Sequence, residues 1–181
     1  MARKIKSKKS QVWLSDYTLS MLLFILAALI AVKIIINSFS ANTDFQELKS
    51  ETSKISEILL SEGFPVDWNS TNVIRPGLLT GKRLDFNKTL NAMNNNYINY
   101  TSLKTMLQTK HDFLVIFNST KGILAFNNTL CAIGRPSISI WDGTNCTNPN
   151  FGSINYKNMV QLNRLVIYNS NIVRMVVYAW N

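Results

Sequence analysis

Cys131 and Cys146 are the only thiols in the chain, and between them run Gly134, Pro136, Gly143 and Asn145, a loop-rich composition that a cross-link could hold. Oxidised to a disulfide, as expected outside the cell, they would close a loop of about 15 residues and contribute roughly 3 kcal/mol by the chain-entropy relation. As metal ligands they lack company, because His111 is the sole histidine and there is no Cys-x-x-Cys. Two free buried thiols are the remaining alternative. His111 stands beside Asp112 with no serine or cysteine motif near it, and reads as a surface or edge residue. Neither a Gly-x-Ser-x-Gly elbow nor a phosphate-binding glycine loop occurs. No enzymatic activity and no cofactor are therefore expected. Lys82 and Arg83, the only adjacent basic pair outside the N-terminal tail, make no stripe with interleaved aromatics, so nucleic acid is not an expected partner. Six Asn-x-Ser/Thr triplets, at Asn69, Asn87, Asn99, Asn118, Asn127 and Asn145, are candidate N-glycosylation acceptors.

The element that must place all of these is a greasy one. Residues 17–36 are apolar apart from Lys33 and a few hydroxyls, and twenty residues of helix span roughly 30 Å, the thickness of a hydrocarbon core. Lys33 lies one turn from the outer end, where its ammonium can snorkel to headgroups. The run is longer than the apolar stretch of a cleaved secretory signal, so it is expected to remain as an anchor. Arg3, Lys4, Lys6, Lys8 and Lys9 precede it without an acid, which predicts a cytoplasmic N-terminus and an extracellular remainder. Five of the nine net positive charges sit in that tail; residues 40–181 carry 13 basic and 9 acidic side chains. The basic pI thus reflects membrane topology and anionic lipid rather than nucleic acid.

Beyond the apolar run, Phe45, Leu48, Ile55, Ile58 and Leu59 recur at helical spacing with Glu47, Lys49, Glu51, Lys54 and Glu57 between them. Gly63 and Pro65 end the pattern. The membrane helix is expected to run on into this amphipathic one; a short stalk or a coiled coil is the alternative. Two loops follow, with Phe64 and Trp68 expected to plug the core edge. Asp85 and Thr101 look like N-caps of two short helices, separated by a polar Asn-rich stretch at 94–100. Strands are predicted at 112–118, 122–126, 137–141, 159–168 and 172–180, with a tight turn at Asn169-Ser170. In the last strand Val173, Met175, Val177 and Ala179 should cover the amphipathic helix, while the opposite face meets the short helices or a neighbouring subunit.

Lys8-Lys9-Ser10-Gln11-Val12-Trp13-Leu14-Ser15-Asp16, directly ahead of the apolar run, resembles the class III signal of archaeal type IV pilins and pilin-like proteins. Ser10 stands where glycine is commonest, and Asp16 is the sixth residue from Gln11 where the acid is usually fifth. The Gly63-Phe64-Pro65-Val66-Asp67-Trp68 stretch is similar to one that often follows the long helix in such proteins. The resemblance implies that a prepilin peptidase cuts after Ser10 on the cytoplasmic side and that Gln11 becomes the first residue. It further implies that Asp16 pairs with the freed terminal ammonium of a neighbouring subunit. Read without it, Asp16 caps the start of the membrane helix. The expected fold is α+β, pilin-like. A basic leader would occupy 1–10, a transmembrane helix 11–39, an amphipathic extension 40–62, and an extracellular head with an antiparallel sheet 63–181. The expected role is structural: a pilin-like or pseudopilin-like subunit assembling with like or related subunits. The alternatives are an uncleaved single-pass protein whose outer domain binds a ligand or a partner protein, and an envelope component that never polymerises.

Overall fold

A computed structural model describes residues 7–94, 98–135, 138 and 140–181. The basic residues of the first six positions, residues 95–97 of the Asn-rich stretch and Ser137 and Ser139 of the expected strand at 137–141 lie outside the described residues; Ile138 and Ile140 are not in a strand, and Trp141 forms only an isolated bridge with Cys146. The fold is α+β, and the chain divides into two compact units between Asp44 and Phe45, within the first helix, α1 (Ser7–Leu59). From Ser7 to Leu59 there is neither glycine nor proline, so nothing interrupts the i to i−4 ladder. In the first unit the segment Trp13–Asn37 has a mean hydropathy of 2.8 and none of its window is buried, as a helix that meets lipid requires.

The second unit begins with the last turns of α1. Leu48, Thr52, Ile55, Ser56 and Leu59 are fully buried at spacings of three and four, whereas Phe45, expected on this stripe, is 39% exposed. Thr52 and Ser56 fit the stripe because their hydroxyls donate to the carbonyls of Leu48 (2.6 Å) and Ser53 (2.7 Å), leaving no unpaired polar group. Burying each of Leu48, Ile55 and Leu59 stabilises the fold by roughly 1.5–3 kcal/mol. A small hairpin follows, β1 (Leu79–Thr80) and β2 (Arg83–Leu84), turned by Gly81 and Lys82 at positive φ. Helices α2 (Phe86–Met93) and α3 (Tyr100–Met106) come next. Asp85 caps α2 as expected, its side chain accepting from the Lys88 N–H. The cap of α3 is Asn99 rather than Thr101, with its Oδ1 accepting from the Ser102 N–H at 2.8 Å.

The main sheet is antiparallel, in the order β4-β3-β7-β6, with strands β3 (Asp112–Ser119), β4 (Gly122–Ile123), β6 (Met159–Tyr168) and β7 (Asn171–Trp180). A further short strand, β5 (Ala132–Gly134), pairs with residues 114–116 of β3. Asn169 and Ser170 join β6 to β7 with φ of 46° and 63°, the geometry of a type I′ turn. One sheet face carries Phe113, Val115, Phe117, Val173, Met175, Val177 and Ala179 into the main core with Leu48, Ile55 and Leu59 of α1. Ala92, Met93 and Leu103 of the short helices join this same core, so their expected place on the opposite face is not found. That second face, with Leu114, Ile116, Val176 and Trp180, is covered instead by Cys131, Ile138 and Ile140 and by the half-buried Trp141 and Phe151. Glycine- and asparagine-rich connections of this kind lie over a sheet only when something pins them, and the Cys131–Cys146 disulfide does so.

Candidate functional site: the N-terminal segment and the end of the long helix

The Ser10–Gln11 bond lies within α1, whose described part runs from Ser7. Asp16 is nine residues inside α1, so the expectation that it caps the helix start is corrected: at that depth the N–H groups around it are already bonded within the helix. Its side chain is exposed and falls inside the apolar segment Trp13–Asn37, as does that of Lys33. The Thr18 hydroxyl donates to the Ser15 carbonyl at 2.9 Å, which lets it sit on an apolar helix at little cost.

At the other end of α1 the chain turns back on itself through Gly63, at φ +80°. The Leu78 and Leu79 N–H groups donate to the carbonyls of Leu59 (2.8 Å) and Ser61 (3.0 Å), taking up acceptors that the ending helix leaves open. Lys88 is only 6% exposed, and its ammonium donates to the Glu62 and Leu79 carbonyls at 2.8 and 2.9 Å. Trp68 is buried and hydrogen-bonded as expected of a core plug, but Phe64 is 55% exposed and does not pack there. Phe64 contributes its backbone instead, exchanging hydrogen bonds with Arg75 at 2.9 and 3.1 Å, which directs its side chain outward.

A polar cluster ties the short helix α3 to the sheet. Asp112, first residue of β3, accepts from the Tyr100 hydroxyl (2.9 Å) and from the Lys104 ammonium (3.1 Å), and pairs with the Arg135 guanidinium. Burial works to raise the Asp112 carboxyl, but the hydrogen bonds from Tyr100 and Lys104 and the charges of Lys104 and Arg135 outweigh it, so the group titrates below its ordinary value. Burial pushes the Tyr100 phenol far above its ordinary value, against the opposing effect of the Phe113 N–H that it accepts. The loop before β3 grips α1: Glu51 accepts from the Thr109 hydroxyl at 2.7 Å, and Glu47 pairs with Lys110 at 2.7 Å. His111, expected as a surface or edge residue, stands directly ahead of β3 and is not on the surface. Its side chain is only 10% exposed, with Nε2 lying 3.8 Å from Glu51. These contacts tie α1, α3 and β3 of the second unit together.

Cys131 and Cys146 are bonded to each other. Of the glycosylation candidates, Asn69, Asn87, Asn99, Asn127 and Asn145 are exposed, and Asn118 is half-buried on β3 between Ile123 and Arg174. Asn69 Oδ1 accepts from both the N–H (2.9 Å) and the hydroxyl (2.7 Å) of Thr71, and Asn99 Oδ1 is engaged as the cap of α3. Lys88, Gly77 and Arg135 were not legible as structural residues. A lysine in a polar helix reads as solvated, and nothing local marks the carbonyls that bury it. No protein-family model, no curated protein and no solved structure matches this chain.

Proposed function

We propose that this chain is a membrane-anchored, pilin-like or pseudopilin-like subunit with a structural, non-enzymatic role. In this reading the N-terminus is cytoplasmic and the second unit extracellular. A prepilin peptidase cuts after Ser10, and the apolar helix then serves as the assembly module that joins like or related subunits. The observation that carries the reading is the unburied apolar segment Trp13–Asn37 with a carboxylate, Asp16, near its start and Lys8-Lys9-Ser10-Gln11 immediately ahead. At the edge of a bilayer such an acid is received by headgroups and water, but among neighbouring apolar helices it is costly unless it is paired, which supports a role in assembly. The amphipathic end of α1 packed on an antiparallel sheet, with a disulfide pinning the loops of an outer domain, supports the same reading.

Mass spectrometry of the N-terminus of the native protein, beside a Ser10→Arg variant, tests the proposal. A mature chain starting at Gln11 that is lost in the variant is the expected result. A chain that keeps residues 1–10 overturns it and leaves an uncleaved single-pass protein whose outer domain binds a ligand or partner.

A further inference from the structure

The apolar segment Trp13–Asn37 holds two charged residues, the carboxylate of Asp16 and the ammonium of Lys33, and both side chains are exposed. Seventeen residues of helix separate them, about 25 Å along the axis at the usual rise, so they cannot meet on their own helix. At about 100° per residue they also point in directions about 100° apart around it. In a bilayer each lies near an opposite edge of the apolar slab, where headgroups and water receive it. Packed among other apolar helices, away from headgroups, each would be a buried charge, and a buried charge without a partner is strongly destabilising.

We propose that Asp16 of one chain forms an ion pair with Lys33 of a second copy displaced by about 25 Å along the helix axis. The inference rests on the assembly reading above and adds to it the partner, the contact and the stagger. Charge complementarity carries it: the apolar segment Trp13–Asn37 of each copy holds one anion and one cation, so Asp16 of one copy can neutralise Lys33 of another, with the ammonium freed at Gln11 as the competing partner for Asp16. Because the two charges face different ways, a helix meets one neighbour through Asp16 and another through Lys33. Such a head-to-tail contact does not close on a two-fold axis and generates an open array. Copies lying side by side in a flat bilayer sit at equal depth and cannot make the contact. The pair thus forms only between copies displaced along the helix axis.

The test uses the full chain expressed with its processing machinery. Filaments are sheared from cells and quantified relative to subunit in the membrane. The variants are Lys33→Glu, Lys33→Leu, Asp16→Lys and the exchange Asp16→Lys/Lys33→Glu. In parallel, an Asp16→Cys chain and a Lys33→Cys chain are co-expressed and oxidised in the filament; the head cysteines are already bonded to each other. Expected are an at least tenfold loss of filaments, roughly, for each single change, recovery to within about threefold of wild type in the exchange, and a cross-linked dimer only in the mixed population. Filaments unaffected by either Lys33 change, with no 16–33 cross-link, overturn the pairing while assembly stands; Asp16 then answers to the terminal ammonium freed at Gln11. Absence of filaments from the wild-type chain overturns both.

Discussion

The indole Nε1 of Trp68 donates a 2.7 Å hydrogen bond to the carbonyl oxygen of Gly77, across the point where the chain leaves the long helix and returns to it. The same carbonyl belongs to a residue with no room for a side chain. A Cβ on Gly77 would lie 2.2 Å from the Gly63 nitrogen and 2.4 Å from the Ser61 oxygen, both backbone atoms that cannot swing aside. Trp68, Gly63 and Gly77 are thus one joint: two glycines let the backbones touch, and the indole roofs the contact.

Gly77→Ala should destabilise the second unit by about 2–3 kcal/mol, the range for forcing added volume into a packed site. Trp68→Phe keeps most of the apolar ring but orphans the Gly77 carbonyl, for an expected loss of about 1–2 kcal/mol. Denaturant unfolding of the full chain in detergent, followed by tryptophan fluorescence for the glycine variant and circular dichroism for the other, reads both. An alanine variant as stable as wild type would refute the close approach.

Lys88→Met tests the buried ammonium. The substitution keeps length and removes the donor to the Glu62 and Leu79 carbonyls, so a loss of about 2 kcal/mol is expected from hydrogen bonds to a charged group. Hydrogen exchange should rise at the Leu78 and Leu79 amides, which share this joint with the helix end. A loss confined to within experimental error of zero would mean that the carbonyls find water at no cost.

Asp112→Asn tests the cluster with Tyr100, Lys104 and Arg135. Because the folded carboxyl titrates below its ordinary value of 3.8, the native state holds the charged form more tightly than the unfolded chain does. The stability it lends is complete above that ordinary value and is lost as pH falls through the lower, folded one. The variant should lose about 1–2 kcal/mol at pH 7, and the gap between the two proteins should narrow in thermal melts as pH drops below about 4. A gap that stays constant to pH 2 would contradict the assignment.

Cys131→Ser/Cys146→Ser should cost about 3 kcal/mol from the 15-residue separation alone. Its local consequence is more telling. Without the cross-link the connection over Leu114, Ile116 and Val176 loosens, and a dye that binds exposed apolar surface should report it before the main core melts. Protease cleavage between 141 and 158 should accelerate more than cleavage anywhere on the α1 side of the sheet.

Local pattern alone determined the elements whose signals are dense. The glycine-free, proline-free apolar run needed no tertiary partner to be read as a membrane-length helix, and its last turns showed their buried stripe by spacing. Strands β6 and β7 are ten residues each and dense in β-branched and aromatic side chains, and the Asn169-Ser170 turn carries its own positive-φ chemistry. Asp85 was legible as a cap because its bond closes within three residues. Tertiary structure decided what depends on residues far apart in sequence. Thr52 and Ser56 look polar until their hydroxyls are seen to bond back to their own helix, and Lys88 looks solvated until two distant carbonyls converge on it. Phe64 looks like core until its backbone pairing with Arg75 turns its ring outward. Which sheet face took the short helices and which took the disulfide-held connection was likewise invisible locally, because both faces of β7 are apolar. Periodicity reports that a surface will be covered; only the closing of the whole chain around it, with every buried donor and acceptor paired, selects what covers it.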